Sequence, residues 1–365
     1  MSKKAAIITA FDPYTFKGGI ETYTAQLVDL LKIHNVEVDI YHIGMVHKEH
    51  GFYNDYLGKL YLTGKGVLED DKDYDFIIAN AFYGLSYFPP RVKTYNIFHL
   101  THMGFAEKIK DVVPPSQYLE WNLLWGELSE SVSSYDRIKI AVSESVKNEL
   151  KRYYGFNDVK VIPHGIDTNI FVKLDKVESR RTWGIPEEAC VGLYVGRWDI
   201  LKGCDILEEI IHMKPDLYWI VILGTGSDKD AVPVRENIKV IEQIENEKMN
   251  EIYSAADFML FLSRYEGFGY VIVEALACEL PIITTNVGIA KTILKKEPFD
   301  VFLLPDASYG KEELIHSCMQ KIDFLKNNRG LMTEVSREGR RIIEEGYSLS
   351  SWKNTMSRAL GLLEV

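Results

Sequence analysis

Phe258-Met259-Leu260-Phe261-Leu262-Ser263-Arg264-Tyr265-Glu266-Gly267-Phe268-Gly269-Tyr270-Val271-Ile272-Val273-Glu274-Ala275 reads as a strand, a glycine loop and the start of a helix in one line. Residues 258–262 are apolar without alternation, the pattern of a parallel strand buried on both faces. Gly267 and Gly269 let the backbone bend and approach a ligand closely where a helix begins. Glu266 stands in the loop, and Glu274 is expected about two turns into the helix on the same side. Carboxylates accept paired hydrogen bonds from vicinal hydroxyls, so this pair suits a sugar or a ribose better than acid–base chemistry. The plain alternative is a surface loop followed by an exposed helical glutamate.

Working outward, short β-branched apolar runs recur at residues 5–9, 36–43, 75–80, 94–100, 138–142 and 159–162. A second series occupies residues 191–195, 218–223, 238–241, 258–262, 281–285 and 301–304. Amphipathic helical patterns lie between several of them, as at residues 21–32, 143–153 and 271–278. This alternation predicts α/β, doubly wound parallel sheets. About a dozen strands exceeds what one open sheet usually carries, so two sheets and two domains are expected. Residues 171–183 are polar and strand-free, which places the break after Pro163-His164-Gly165-Ile166-Asp167. The expected domains are 1–172 and 173–347. The segment 348–365, helical and apolar along Trp352, Met356, Leu360 and Leu363, needs a surface to pack on. In such sheets ligands bind beyond the carboxyl ends of the strands, and a cleft between two such domains is the expected site.

The 42 Lys+Arg and 53 Asp+Glu give a net charge of −11, which argues against nucleic acid as the main ligand. The four cysteines, Cys190, Cys204, Cys278 and Cys318, lack zinc or disulfide-framework spacing and suit a reducing cytoplasm. Lys3-Lys4 and the apolar residues after them resemble a secretory leader, but Asp12-Pro13 interrupts the run too early. No stretch has the length of a membrane span.

Other candidate groups also follow strands. Phe16-Lys17-Gly18-Gly19-Ile20-Glu21 joins the first strand to a helix and reads either as a phosphate-binding turn or as an ordinary one. Val195-Gly196-Arg197-Trp198-Asp199-Ile200-Leu201-Lys202-Gly203 sets two cations five residues apart, able to close on a diphosphate or simply to form a solvated basic turn. Tyr118, Trp121 and Trp125 fall at helical spacing, as core or as a platform for acceptor or lipid. Asp71-Lys72-Asp73-Tyr74-Asp75 contains Asp-x-Asp by letter, but within an acidic run it reads as a solvated face.

The order of Gly18-Gly19, Val142-Ser143, Pro163-His164-Gly165-Ile166-Asp167, Gly196-Arg197 with Lys202-Gly203, Gly224-Thr225-Gly226 and the Glu266 to Glu274 block resembles the GT-B glycosyltransferases of family 4 (glycosyl transferases group 1) along nearly the whole chain. The resemblance implies two Rossmann-like domains facing a cleft, with the last helix crossing back onto the N-terminal domain. It implies transfer of a sugar, with retention of configuration and without a cofactor or bound metal. The donor would be a nucleotide-diphosphate sugar, a UDP-sugar ahead of a GDP- or ADP-sugar. Arg197 and Lys202 would hold the diphosphate, with Gly18 and Gly19 contributing from the other domain. Glu266 would bind the donor sugar, with backbone amides of Gly267, Phe268 and Gly269 beside it, and Glu274 the ribose. His102, or else His99, would lie at the reacting sugar. Three departures stand out. His164 occupies a position where relatives often have Asn, and Gly288-Ile289-Ala290 replaces a glycine pair. Ile241-Glu242-Gln243-Ile244 lacks a glycine near the base, which makes Ile244 the residue expected there. The expected acceptor is a glycan, a glycolipid or a small molecule, and the expected location the cytoplasm, with peripheral contact at the inner face of a membrane left open. A sugar epimerase of similar architecture and a non-catalytic partner subunit are the alternatives.

Overall fold

The computed structural model describes residues 2–16, 18–45, 56–70, 72–242, 244–295, 297–305 and 310–363. Lys17, Asp71 and Gln243 of the motifs above lie outside them. The chain divides into two compact units, Met1–His164 with Lys353–Val365, and Gly165–Trp352.

The first unit is built on a six-stranded parallel sheet in the order β2-β1-β3-β4-β5-β6. Its strands are β1 (Lys4–Thr9), β2 (Glu37–His42), β3 (Phe76–Asn80), β4 (Lys93–Phe98), β5 (Ile138–Ala141) and β6 (Val159–Val161). Central Ile7 pairs with Ile40 on one side and Ile78 on the other. Ala5 to Ile8 are fully buried, as their unbroken apolar run requires. The helix Gly19–Ile33 buries Tyr23, Leu27, Leu30 and Leu31. Ser143 caps the helix Glu144–Tyr154 by accepting from the Val146 N–H at 3.2 Å, the role a serine before an amphipathic run predicts. Residues of the C-terminal helix Leu349–Leu360 belong here too: Ser357 Oγ lies 2.9 Å from His34 Nε2. Trp352, Met356 and Leu360 are buried as their spacing predicts, whereas Leu363, past the turn at Gly361, is exposed.

The second unit carries a five-stranded parallel sheet, order β11-β10-β7-β8-β9. These are β7 (Cys190–Gly196), β8 (Leu217–Leu223), β9 (Ile238–Glu242), β10 (Phe258–Phe261) and β11 (Ile282–Thr284). The strand order reverses beside β7, whose neighbours are β8 and β10, so the loops after β7 and β10 emerge side by side where open α/β sheets bind ligands. The strand expected at residues 301–304 does not form. Asp300–Phe302 closes a 3-10 turn, and only Leu303 makes a single bridge, to Thr284. The turn buries Phe302 and Leu304 as well as a strand would, and an apolar run this short does not tell the two apart. No described helix is long and apolar enough to cross a membrane.

Candidate functional site

In the second unit the predicted cations Arg197 and Lys202 and the carboxylate Glu266 come together at the carboxyl ends of β7 and β10. Asp199 caps the 3-10 turn Ile200–Lys202, accepting from the Lys202 N–H at 3.0 Å, and also pairs with Arg197 Nε at 3.2 Å. One short side chain thus pairs with Arg197 and caps the turn that carries Lys202. Lys202 Nζ reaches across to the β10 loop and donates to Glu266 Oε1 at 2.5 Å. Arg197 remains half exposed. Two cations and a carboxylate, partly exposed at one pair of strand ends, suit a ligand that is anionic at one end and hydroxylated at the other.

Two left-handed glycines hold these loops together. Gly203 has φ +77°, and a Cβ there would lie 2.5 Å from the Leu262 carbonyl oxygen. Gly288 has φ +48°, and a Cβ there would lie 2.2 Å from the Phe268 carbonyl oxygen, which accepts the Ile289 N–H at 2.8 Å. Gly288 thus brings the loop after β11 directly against the Phe268 carbonyl. Phe268 itself is buried, its ring 5.6 Å from that of Tyr270.

Glu274 departs from expectation. It is the fifth residue of the helix Tyr270–Ala277, which starts directly after the left-handed Gly269, so it lies a little over one turn in rather than two. Its Oε2 accepts from Tyr253 Oη at 2.7 Å. Burial raises its pKa to about 7, against the lowering effect of that hydrogen bond. Ile244 lies half-buried just beyond β9, the edge strand.

In the first unit, Gly18 precedes the helix Gly19–Ile33 with the Glu21 carboxylate packed against it, and burial raises the pKa of Glu21. The two candidate histidines sit in different surroundings. His99, at the end of β4, is buried, with Nε2 3.0 Å from Asn80 Oδ1 and its ring stacked on His164 at 5.3 Å. Burial pushes its pKa down to about 3. His164, where relatives often have Asn, fills an aromatic slot between His99 and Tyr23. His102 begins the helix His102–Ile109 with its side chain 20% exposed, and its Nδ1 lies 2.9 Å from Glu130 Oε1.

The aromatic stripe turns inward. Trp125 is buried against Phe82, and Tyr118 donates to Glu107, whereas Leu119, Leu123 and Leu128 on the opposite side are exposed. Most of this segment, Glu120–Glu130, is a π-helix rather than an α-helix. The described part of the acidic run is structural: Lys72 and Tyr74 bond Asp39, and Asp75 accepts the Lys4 N–H. Among the described residues no group of three or more His, Cys, Asp or Glu is placed to hold a metal ion.

The chain matches the family Glycosyltransferase Family 4 over residues 17–170 and Glycosyl transferases group 1 over residues 175–341. It belongs to the GT-B glycosyltransferases of family 4. TuaC of Bacillus subtilis, a glycosyltransferase named for teichuronic acid biosynthesis, is 33% identical over 161 residues, 44% of this chain and 41% of the relative. The chain spans about half the length of the curated relatives it matches. Among solved structures, the sucrose-phosphate synthase of Thermosynechococcus elongatus superposes with a TM-score of 0.79 at 19% identity, covering 98% of each chain. HepE of Anabaena, solved in complex with UDP-glucose, superposes with a TM-score of 0.73 at 18% identity over 99% of this chain and 100% of its own.

Several residues that hold these loops and side chains in place were not singled out from the sequence. Arg264 forms a bidentate pair with Asp205, both contacts 2.9 Å, and also donates to the Ile200 carbonyl, tying the β10 loop to the β7 loop. Tyr253 holds Glu274, and Glu130 holds His102. Arg264 stands inside the quoted motif, so a buried role for its charge was open to inference. Tyr253 and Glu130 carry no local signal, because their partners are 21 and 28 residues away.

Proposed function

We propose that this chain moves a sugar from a nucleotide-diphosphate donor to a hydroxyl of a glycan, a glycolipid or a small-molecule acceptor, with retention of anomeric configuration and without a bound metal. The observation that carries the reading is the pairing of Lys202 with Glu266 across two neighbouring loops, with Arg197 beside them. In this reading Arg197 and Lys202 take the diphosphate. Charge on the leaving nucleotide rises toward the transition state, so cations fixed there stabilise it more than the bound donor. Glu266 accepts hydrogen bonds from the donor sugar, with the backbone of Gly267, Phe268 and Gly269 alongside. Glu274 accepts from the ribose, Ile244 borders the base, and Gly18 and Gly19 offer a helix N-terminus to phosphate. His102, more open than His99, meets the reacting sugar. The UDP-glucose complex of HepE supports a UDP-sugar as the first donor to test. The name of the Bacillus relative and the exposed Leu119, Leu123 and Leu128 support an acceptor that is a glycan or lipid-linked, met by a cytoplasmic protein at the inner face of a membrane.

The test is thermal unfolding with UDP, GDP, ADP and CMP, each with and without a divalent metal. One nucleoside diphosphate at a hundred times its Kd should stabilise the protein by about 2.7 kcal/mol without metal. Stabilisation by none of them, or only with metal, overturns the donor site as drawn.

A pH dependence follows from Glu274. Its folded pKa of about 7 lies above the ordinary carboxyl value, so the group is largely protonated at pH 6 and ionised at pH 8. Ribose hydroxyls donate best to the ionised form. Affinity for a nucleotide sugar, whose diphosphate does not titrate in this range, should rise roughly tenfold from pH 6 to pH 8, one decade per unit below the pKa. Calorimetry at the two pH values checks it, and Glu274→Gln should flatten the slope.

A further inference from the structure

Glu130 is fully buried at the last residue of the π-helical segment Glu120–Glu130. A buried carboxylate is tolerated only if hydrogen-bond donors surround it. Three do so here, and two belong to His102. The His102 backbone N–H lies 3.2 and 3.1 Å from the two oxygens, Nδ1 lies 2.9 Å from Oε1, and the Tyr154 hydroxyl donates to Oε2. The backbone contact also satisfies one of the N–H groups left unpaired at the start of the helix His102–Ile109.

We propose that Glu130 is the positioning residue of this transferase, holding His102 as the Nδ1–H tautomer so that the Nε2 lone pair is presented outward to a sugar hydroxyl. The inference rests on the reading of His102 given above. An ionised carboxylate only accepts hydrogen bonds, so Nδ1 must carry the proton, and the neutral ring then has its lone pair on Nε2. The ring is fixed in plane as well. Phe82 meets it edge-on at 4.8 Å and is itself backed by Trp125 at 5.3 Å. Nε2 makes no hydrogen bond to a described residue, and the side chain is 20% exposed. Of the other carboxylates on this helix and the elements packed against it, Glu127 is exposed, and Glu120 accepts from the Trp125 indole N–H at 3.0 Å. Glu149 accepts from Thr101 Oγ1 at 2.6 Å, and Tyr118 donates to Glu107 at 2.8 Å. Glu130 is therefore the carboxylate that sets the imidazole.

Glu130→Gln keeps the shape but offers Nδ1 an N–H as readily as a carbonyl. We expect kcat to fall about 10–100-fold, as when an orienting partner of a histidine is removed, with donor KM within about threefold. Long-range proton–nitrogen spectra of protein labelled with 15N-histidine, with the His102 signal assigned by its loss in His102→Gln, should show Nδ1–H in the wild type and a shift toward Nε2–H in Glu130→Gln. An Nε2–H tautomer in the wild type overturns the proposal even if Glu130→Gln fails to fold. So does an unchanged kcat in a folded Glu130→Gln. Full activity in His102→Gln overturns the role of His102 itself, and the tautomer spectra then still report whether Glu130 holds the ring.

Discussion

Glu266→Gln is expected to lower sugar transfer at least about 100-fold while leaving the affinity for the free nucleoside diphosphate within about threefold. The first figure is the scale of one or two charge-assisted hydrogen bonds lost from a site that tightens on reaction. Without donor, the Glu266 carboxylate is occupied by Lys202 at 2.5 Å. In the proposed donor site, binding would redistribute this pair, the ammonium to the diphosphate and the carboxylate to the sugar hydroxyls. Glutamine retains one acceptor oxygen but has no charge with which to bind two hydroxyls strongly. It also leaves Lys202 free for phosphate, so binding of the nucleotide alone should not suffer. Initial rates and calorimetry on the same preparation separate the two effects. Unchanged transfer, or equal losses in both measurements, would remove Glu266 from the sugar site.

Gly288→Ala should destabilise the fold by about 3 kcal/mol, combining left-handed strain with an overlap that cannot be relieved by a rotamer change. The clash is with backbone, 2.2 Å from the Phe268 carbonyl oxygen, and that carbonyl is already committed to the Ile289 N–H. Relief requires the loop after β10 or the loop after β11 to move, and the former carries Glu266. Nucleotide-sugar affinity should therefore fall along with stability. Gly226→Ala is the control: φ is +83° but a Cβ would meet nothing within 4 Å, so only the conformational cost of about 1–2 kcal/mol is expected. Urea midpoints of the two variants measure the difference. Equal shifts would mean the two loops are not closely apposed in solution.

The doubly wound sheets, the strand-end location of Arg197, Lys202 and Glu266, and the helix starts at Ser143 and Gly269 were all legible in the sequence. Each rests on a local cause: an unbroken β-branched run, a capping serine, or a glycine where a side chain would obstruct the chain. The same local reading failed at residues 301–304, where a 3-10 turn buries the same apolar side chains as a strand. It failed again at Glu274, which lies a little over one turn into its helix rather than two. By itself the sequence determined the class of fold, the family and the residue types at the ends of the strands. Tertiary structure alone decided which carboxylate meets which partner. Lys202 with Glu266, Arg264 with Asp205, Tyr253 with Glu274 and Glu130 with His102 are separated by 64, 59, 21 and 28 residues. Periodicity and turn chemistry act over a few residues, whereas these pairings depend on the order in which strands lie side by side and on the buried volume between helices, which no local pattern encodes.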